Sequence, residues 1–205
     1  MARRTVRGEL LRQALAAEAA RIMIEHGVDD FLFAKRKAAE RMGVTDHAVL
    51  PRNTEIDAAL AEYHRLFGAD THESDLADMR RQALVVMKLL AEFDPRLVGP
   101  VLSGTAGPHS EIHLHVFADT PEAVAMRLLD TGIRHHVAVR RVKVLRDEAL
   151  PYPALEFVSG AYEVEAIVFP RDGIRQAPFS PVDGRPMRRA ARDEVEALVA
   201  AETVG

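Results

Sequence analysis

The sequence predicts an α+β protein in which a helical N-terminal region precedes a small mixed sheet and a C-terminal helix. Three observations carry this prediction. From residue 8 to about 93, apolar residues recur at spacings of three and four, which is typical of amphipathic helices. After Asp94-Pro95 the spacing changes to two over several short stretches, as in half-buried strands. Residues 190–202 return to helical spacing.

The change of spacing also predicts the domain organisation. We expect a helical region over 1–93 and an α+β domain over 94–205, since a length of 205 residues allows one domain with an extension. Apolar residues make up 48% of the chain and charged residues 28%, which excludes general disorder. The chain has no cysteine, which excludes disulfide scaffolds, thiolate nucleophiles and cysteine-based zinc sites.

Charge and hydropathy limit the expected partners. The net charge is -4 and aromatic residues are only 5%, without tryptophan, so extensive nucleic-acid binding is not expected. No apolar run approaches the ~20 residues that span a bilayer. Glu9, Arg12 and Glu18 interrupt the stretch where a signal peptide would be apolar. We therefore expect a cytoplasmic protein without a membrane partner, and the oligomeric state stays open.

Start and stop residues divide the helical region into four predicted helices. Glycine ends a helix readily, and small polar residues cap its start. The boundaries are set by the stops Gly27 and Gly43 and by the caps Asp30, Asn53 or Thr54, and Ser74.

The second region alternates strands, loops and one internal helix. Thr120-Pro121 starts that helix and Gly132 ends it. A turn at 171–173 and a proline-rich loop to about residue 189 precede the last helix. Strands are predicted at 97–102, 111–117, 137–145, 155–159 and 162–169.

Titratable side chains share one face of the second predicted strand. Alternation places Glu111, His113 and His115 together, and Glu163 and Glu165 share a face of the last strand. If the two strands are neighbours, these groups converge and could hold a divalent ion or act as acid and base. The alternative is a solvated strand face, which antiparallel sheets often have.

A glycine-containing element precedes this strand. Residues 101–105 read Val-Leu-Ser-Gly-Thr, and a small-residue loop leads from them to Ser110-Glu111-Ile-His113. The arrangement over about 97–169 resembles the nucleotidyltransferase superfamily, the DNA polymerase β-like fold. There a strand ends in Gly-Ser or Gly-Gly, the next strand begins Asp-x-Asp or Asp-x-Glu, and a later strand supplies a third acid. The resemblance implies this topology for the small mixed sheet.

The resemblance also implies an activity. It suggests transfer of a nucleoside monophosphate from an NTP to an acceptor, which could be RNA, a protein or a small molecule. The implied cofactor is a divalent metal, Mg²⁺ or Mn²⁺, with Zn²⁺ as a further option. The implied catalytic and metal-ligating residues are Glu111, His113 and Glu165, with Glu163 as a weaker choice for the third acid. The implied nucleotide-binding residues are Ser103, Gly104, Thr105 and Arg175.

The sequence departs from the family pattern at the acids. Glu111 replaces the first Asp, and His113 stands at the second acid position. Neutral imidazole suits Mn²⁺ or Zn²⁺ better than Mg²⁺. The alternative function is therefore a catalytically degenerate nucleotidyltransferase fold that acts as a nucleic-acid or protein binding module. In that case the basic residues of the second helix could contact nucleic-acid phosphates: Lys35, Arg36, Lys37 and Arg41.

Overall fold

The chain forms two compact units. A computed structural model describes residues 2–67, 69–145 and 148–202. One unit comprises the residues up to 73 together with 105–110, and the other comprises 74–104 and the residues from 111 onward. Residues 74–93 therefore belong to the same unit as the sheet.

The first unit is built from three helices packed on each other. These are α1 (Ala2–His26), α2 (Phe31–Arg41) and α3 (Asn53–Phe67). Asp30 caps α2 as predicted, since its carboxylate accepts from the backbone N–H groups of Leu32 and Phe33. Buried alanines on α1 and α2 allow the backbones to approach closely. The core residues include Leu15, Ala19, Ile22, Ala34, Ala38 and Ile56.

The second unit contains the sheet and the remaining helices. Helix α4 (Ala69–Leu89) begins in the first unit and continues into the second. The later elements are β1 (Arg96–Val98), α5 (Gly99–Ser103), β2 (Ile112–Phe117), α6 (Pro121–Asp130), β3 (His135–Lys143), β4 (Ala149–Ser159), β5 (Tyr162–Phe169) and α7 (Arg192–Glu202). A short 3₁₀ turn, Arg171–Arg175, follows β5.

The five strands form one mixed sheet in the order β1-β2-β5-β4-β3. Strands β2 and β5 are parallel, and the other neighbours are antiparallel. One face of the two central strands is fully apolar and buried, with Ile112, Leu114 and Ala166 among its residues. The α+β class, the mixed sheet and the C-terminal helix are therefore confirmed.

The first predicted strand is wrong beyond Val98. Gly99 has a φ of 71°, and Pro100, at the start of α5, favours a helix because its ring fixes φ and it needs no donor there. The chain turns at this point, and residues 99–103 form a helix instead of a strand. Glu111 lies just before β2, which begins at Ile112.

Other boundaries also differ from the prediction. Helix α1 begins at Ala2 rather than Gly8, and α4 at Ala69 rather than Ser74. Strand β3 spans 135–143 instead of 137–145, and α7 starts at Arg192.

Strand β4 begins six residues earlier than predicted and contains two prolines, Pro151 and Pro153. Proline lacks a backbone donor and is tolerated where no ladder bond needs one. Pairing between β4 and β5 accordingly stops at Ala154, one residue from Pro153.

Within the described ranges, no helix combines the length and the apolar content required to cross a bilayer.

Candidate functional site

The two strands that carry the predicted acids are neighbours. Strand β2 pairs with β5 in parallel, and the register places His113 opposite Glu165 and His115 opposite Ile167. Side chains at paired positions point to the same side of a sheet. The predicted convergence of these two strand faces is therefore present in the structure.

His113 and Glu165 contact each other directly. Nδ1 of His113 lies 3.4 Å from Oε1 of Glu165, whose side chain is buried. A buried carboxylate requires a charged or hydrogen-bonding partner. The imidazole supplies one such partner, and the second comes from another strand.

That second partner is Arg140 of β3. Its Nε donates to Oε2 of Glu165, and its Nη2 donates to Oε1 of Glu156. Glu156 lies on β4 at the register position opposite Glu165, so the guanidinium reaches across one strand to bind two carboxylates. Both oxygens of Glu165 are thus engaged by side chains of the same sheet face.

The electrostatics agree with this pairing. Burial alone would raise the pKa of Glu165, but the hydrogen bond and charge of His113 and the charge of Arg140 outweigh it and hold that pKa below its usual value. Burial by itself would lower the pKa of the Arg140 guanidinium. The charges of Glu165, Glu156 and Glu111 outweigh this effect and raise that pKa. Glu111 therefore contributes to the same charge cluster from its position before β2.

The proline-rich loop covers His115, the next residue on this face. Arg189 donates from Nε to Nδ1 of His115 at 3.0 Å and from Nη1 to the carbonyl of Gly173 at 2.9 Å. Its guanidinium carbon lies 5.0 Å from the ring centroid of Phe117 and 5.1 Å from that of Phe169. The loop is consequently tied to the sheet by one cation that stacks on two aromatic rings.

Burial and neighbouring cations lower the pKa values of both side chains in this contact. Desolvation, followed by the charges of Arg189 and His113, lowers the pKa of His115 to about 3. Desolvation and the charge of Arg96 lower the pKa of Arg189 to about 10. His115 is therefore a neutral acceptor at physiological pH, and its Nδ1 is occupied by Arg189.

The glycine that faces this site is Gly99, which sequence reasoning missed. Strand β1 ends at Val98, and a Cβ on Gly99 would lie 3.2 Å from Cδ2 of His113. Gly104 instead ends α5, with a φ of 87°. Gly99 directly follows β1 and begins α5. In the sequence, the Gly-Pro dipeptide directly after the apolar pair Leu97-Val98 indicates that the strand ends there.

The predicted nucleotide-binding residues do not form one cluster in either unit. Ser103 donates from Oγ to the carbonyl of Pro100 at 3.3 Å, and Gly104 ends the same helix. The carbonyl of Thr105, a residue of the other unit, lies 3.3 Å from Nε2 of His64. Arg175 is exposed at the end of the 3₁₀ turn after β5. Their role in nucleotide binding stays a prediction.

The residues of the sheet face do not fit a two-metal site. Mg²⁺ prefers carboxylate oxygens that are free to ligate it, whereas both oxygens of Glu165 already bind His113 and Arg140. The guanidinium brings a permanent positive charge to the place where a cation would be needed. Across the described residues, no three His, Asp or Glu side chains are grouped so that they could hold a metal ion.

Two of the four basic residues of α2 are ion-paired within their own unit. Lys37 pairs with Glu40 at 2.9 Å, and Arg41 pairs with Glu18 at 3.1 Å. Burial lowers the pKa of Lys35, opposed by the charge of Glu55. The helix therefore presents less unpaired positive charge than its sequence suggests.

Comparison with known proteins gives no assignment. No family model, curated protein or solved structure matches this chain.

Proposed function

We propose that this chain is a catalytically degenerate nucleotidyltransferase-like protein that binds a protein partner and does not transfer a nucleotide. One observation carries the proposal. The carboxylate of Glu165, the residue expected to be the third metal-ligating acid, is buried and paired with both Arg140 and His113.

An arginine cannot replace the metal in a transfer reaction of this type. A divalent ion neutralises phosphate charge, but it also bonds the attacking oxygen and lowers the pKa of its proton. A guanidinium supplies only charge and hydrogen bonds. A metal at Glu165 would require Arg140 to release both Glu156 and Glu165, which occupy paired positions on β4 and β5.

A protein partner is favoured over nucleic acid by charge and by exposed apolar surface. Two of the four cations of α2, Lys37 and Arg41, are ion-paired, and the net charge is -4. In the sheet unit, by contrast, large apolar side chains are exposed on β3 and α6, with Val137, Val139, Met126 and Leu129 each more than half exposed.

The test is a direct search for transfer and metal binding. The protein is incubated with each radiolabelled NTP in Mg²⁺, Mn²⁺ or Zn²⁺, and metal and NTP binding are measured by calorimetry up to millimolar concentration. We expect neither label transfer nor metal binding. Transfer that is lost in Glu165→Gln but kept in Glu163→Gln, a matched exposed carboxylate on the same strand face, would show that the protein is a metal-dependent enzyme.

A further inference from the structure

Strand β3 leaves one edge of the sheet unpaired. It is the last strand of the sheet and pairs only with β4 among the described residues. An exposed edge presents a row of backbone donors and acceptors that can pair with another chain. The edge is nine residues long.

The prolines of β4 determine which backbone groups of β3 point outward. Pro153 is opposite Val139 and Pro151 is opposite Arg141, and neither proline can donate to β3. These positions are therefore the non-hydrogen-bonded pairs, in which the N–H and C=O of β3 point away from β4. The carbonyl of Lys143 has the same parity and indeed accepts from outside the ladder, from the N–H of Phe179 at 2.7 Å.

The chain itself thus already pairs with one end of this edge. Phe179 binds the carbonyl of Lys143, and the Gln176 side chain donates to the carbonyl of Val144 at 3.3 Å. Over residues 135–141, the described chain forms no backbone hydrogen bond outside the β3–β4 ladder. The outward groups in this stretch belong to His135, Val137, Val139 and Arg141.

The side chains along the open stretch are apolar or basic. Val137 is 56% exposed and Val139 is 64% exposed, on the same face of the strand as Arg141. In natural sheets, a charge, a proline or a bulge usually hinders the pairing of an edge strand with another chain, but residues 137–139 carry none of these. Arg134, Arg141 and Lys143 are exposed and form no ion pair within the described residues, and residues 134–144 contain no acid.

A cleft lies at the start of the same strand. It is lined by residues 132–136 and 156–158 and has a volume of about 490 Å³. His135 belongs to this lining, and its Nδ1 is buried without a hydrogen-bond partner in the described chain. A buried ring nitrogen normally has a partner, so the cleft offers one unsatisfied polar group beside the open edge.

We propose that the open edge of β3 binds an extended segment of a partner protein as an added strand, one face of which carries apolar residues followed by an acidic one. The backbone of the segment pairs with the outward groups of Val137, Val139 and Arg141. On that face its apolar side chains cover the two valines, and its carboxylate meets Arg141, which lies on the same face of β3. This inference rests on the proposed function and names the chemistry of the partner.

Charge favours an acidic segment over a second copy of the chain. Antiparallel pairing of two β3 strands about Val139 would place Arg141 of each copy opposite Val137 of the other. Residues 134–144 contain no acid, so neither copy would neutralise the exposed cations of the other. An acidic strand neutralises the same cations.

The test uses a fluorescent peptide that carries Val, Val and Glu at every second position, with Thr between them, and fluorescence anisotropy is the readout. We expect saturable binding below millimolar concentration, and weaker binding by the counterpart with Lys in place of Glu. The same acidic peptide with N-methyl groups on alternate amides, placed so that they face β3, is expected to bind roughly tenfold more weakly or not at all.

Protein variants locate the binding surface. Val139→Pro removes an outward donor without removing a ladder bond to β4, and Arg141→Glu reverses a nearby charge. Each is expected to weaken peptide binding by roughly tenfold, whereas Val85→Thr, at an exposed valine of α4, is the matched control and leaves binding unchanged. Circular dichroism and thermal unfolding verify that each variant is folded.

Three outcomes would overturn this inference: no binding of the acidic peptide, equal binding by folded Val139→Pro, or dimerisation through β3 in sedimentation experiments. Preferential binding of an RNA oligomer that Arg141→Glu abolishes would also overturn it. None of these readouts measures nucleotide transfer, so failure here is distinct from failure of the proposed function.

Discussion

Nδ1 of His113 lies 3.4 Å from Oε1 of Glu165, at positions paired across the parallel strands β2 and β5. Two residues expected to ligate the same metal thus contact each other. Arg140 completes the pairing from β3, which β5 and β4 separate from β2 in the sheet. The result is a closed charge cluster at the position where the family resemblance implies a metal centre.

We expect Arg140→Ala to lower the free energy of unfolding by about 1–3 kcal/mol, because it removes a partner from the buried carboxylate of Glu165. Urea denaturation measures the effect. In the double variant Arg140→Ala/Glu165→Gln, much of the loss should be recovered, since a neutral carboxamide needs no countercharge.

Arg141→Ala is the matched control for this change. Arg141 is exposed on the opposite strand face and donates to the carbonyl of Ala149. Its removal should cost less than 1 kcal/mol, roughly the value of one exposed hydrogen bond. Equal losses for the two arginines would show that the pairing with Glu165 contributes nothing to stability.

Much of the fold follows from local patterns in the sequence. Strand β5 was predicted with its observed ends, because Tyr162–Phe169 is rich in β-branched and aromatic residues and lies between Gly160 and Pro170. The cap Asp30 was also predicted, since its effect depends only on its own helix. The predicted strand β4 was too short, because proline usually ends a strand. The pairing of β4 with β3 and β5 shows why its two prolines are tolerated, and this pairing is not visible in the sequence.

The charge cluster was predictable only in part. Alternation placed Glu165 and His113 on strand faces, but the partner Arg140 lies 25 residues from Glu165 in sequence. That contact depends on the strand order, in which β4 lies between β5 and β3, and no local spacing encodes this order. The same applies to Arg189, which reaches His115 from a loop 74 residues away.

The buried histidine of β2 predicts a pH dependence of stability. His115 has a pKa of about 3 in the folded chain, below the value of about 6.5 expected when unfolded. The unfolded chain therefore binds more protons between these values, so this contribution to stability is complete above about pH 6.5 and is lost as pH falls. By linkage, the loss is about 2 kcal/mol at pH 5 relative to pH 7.

His115→Asn should reduce this loss, because an amide keeps an acceptor for Arg189 and does not titrate. The measurement is the difference between the free energies of unfolding at pH 7 and pH 5. His136→Asn, at an exposed position of β3, is the control and should leave that difference nearly unchanged. If His115→Asn retained the full difference between the two pH values, His115 would not be the group responsible.

The close approach of Gly99 to His113 provides the last prediction. Gly99 and Gly132 both have positive φ, 71° and 75°, so an alanine at either position incurs left-handed strain of about 1–2 kcal/mol. A Cβ at Gly132 would have no atom within 4 Å, whereas a Cβ at Gly99 would lie 3.2 Å from Cδ2 of His113.

The ring of His113 cannot move freely, since Nδ1 contacts Glu165. We therefore expect Gly99→Ala to be more destabilising than Gly132→Ala by about 1–3 kcal/mol, the usual cost of overpacking. Thermal and urea unfolding of the two variants measure this difference. Combining Gly99→Ala with His113→Ala should remove the excess, because the contacting ring atom is then absent. Equal destabilisation by the two single substitutions would mean that backbone strain alone accounts for the effect, and that the turn after β1 does not press on the histidine.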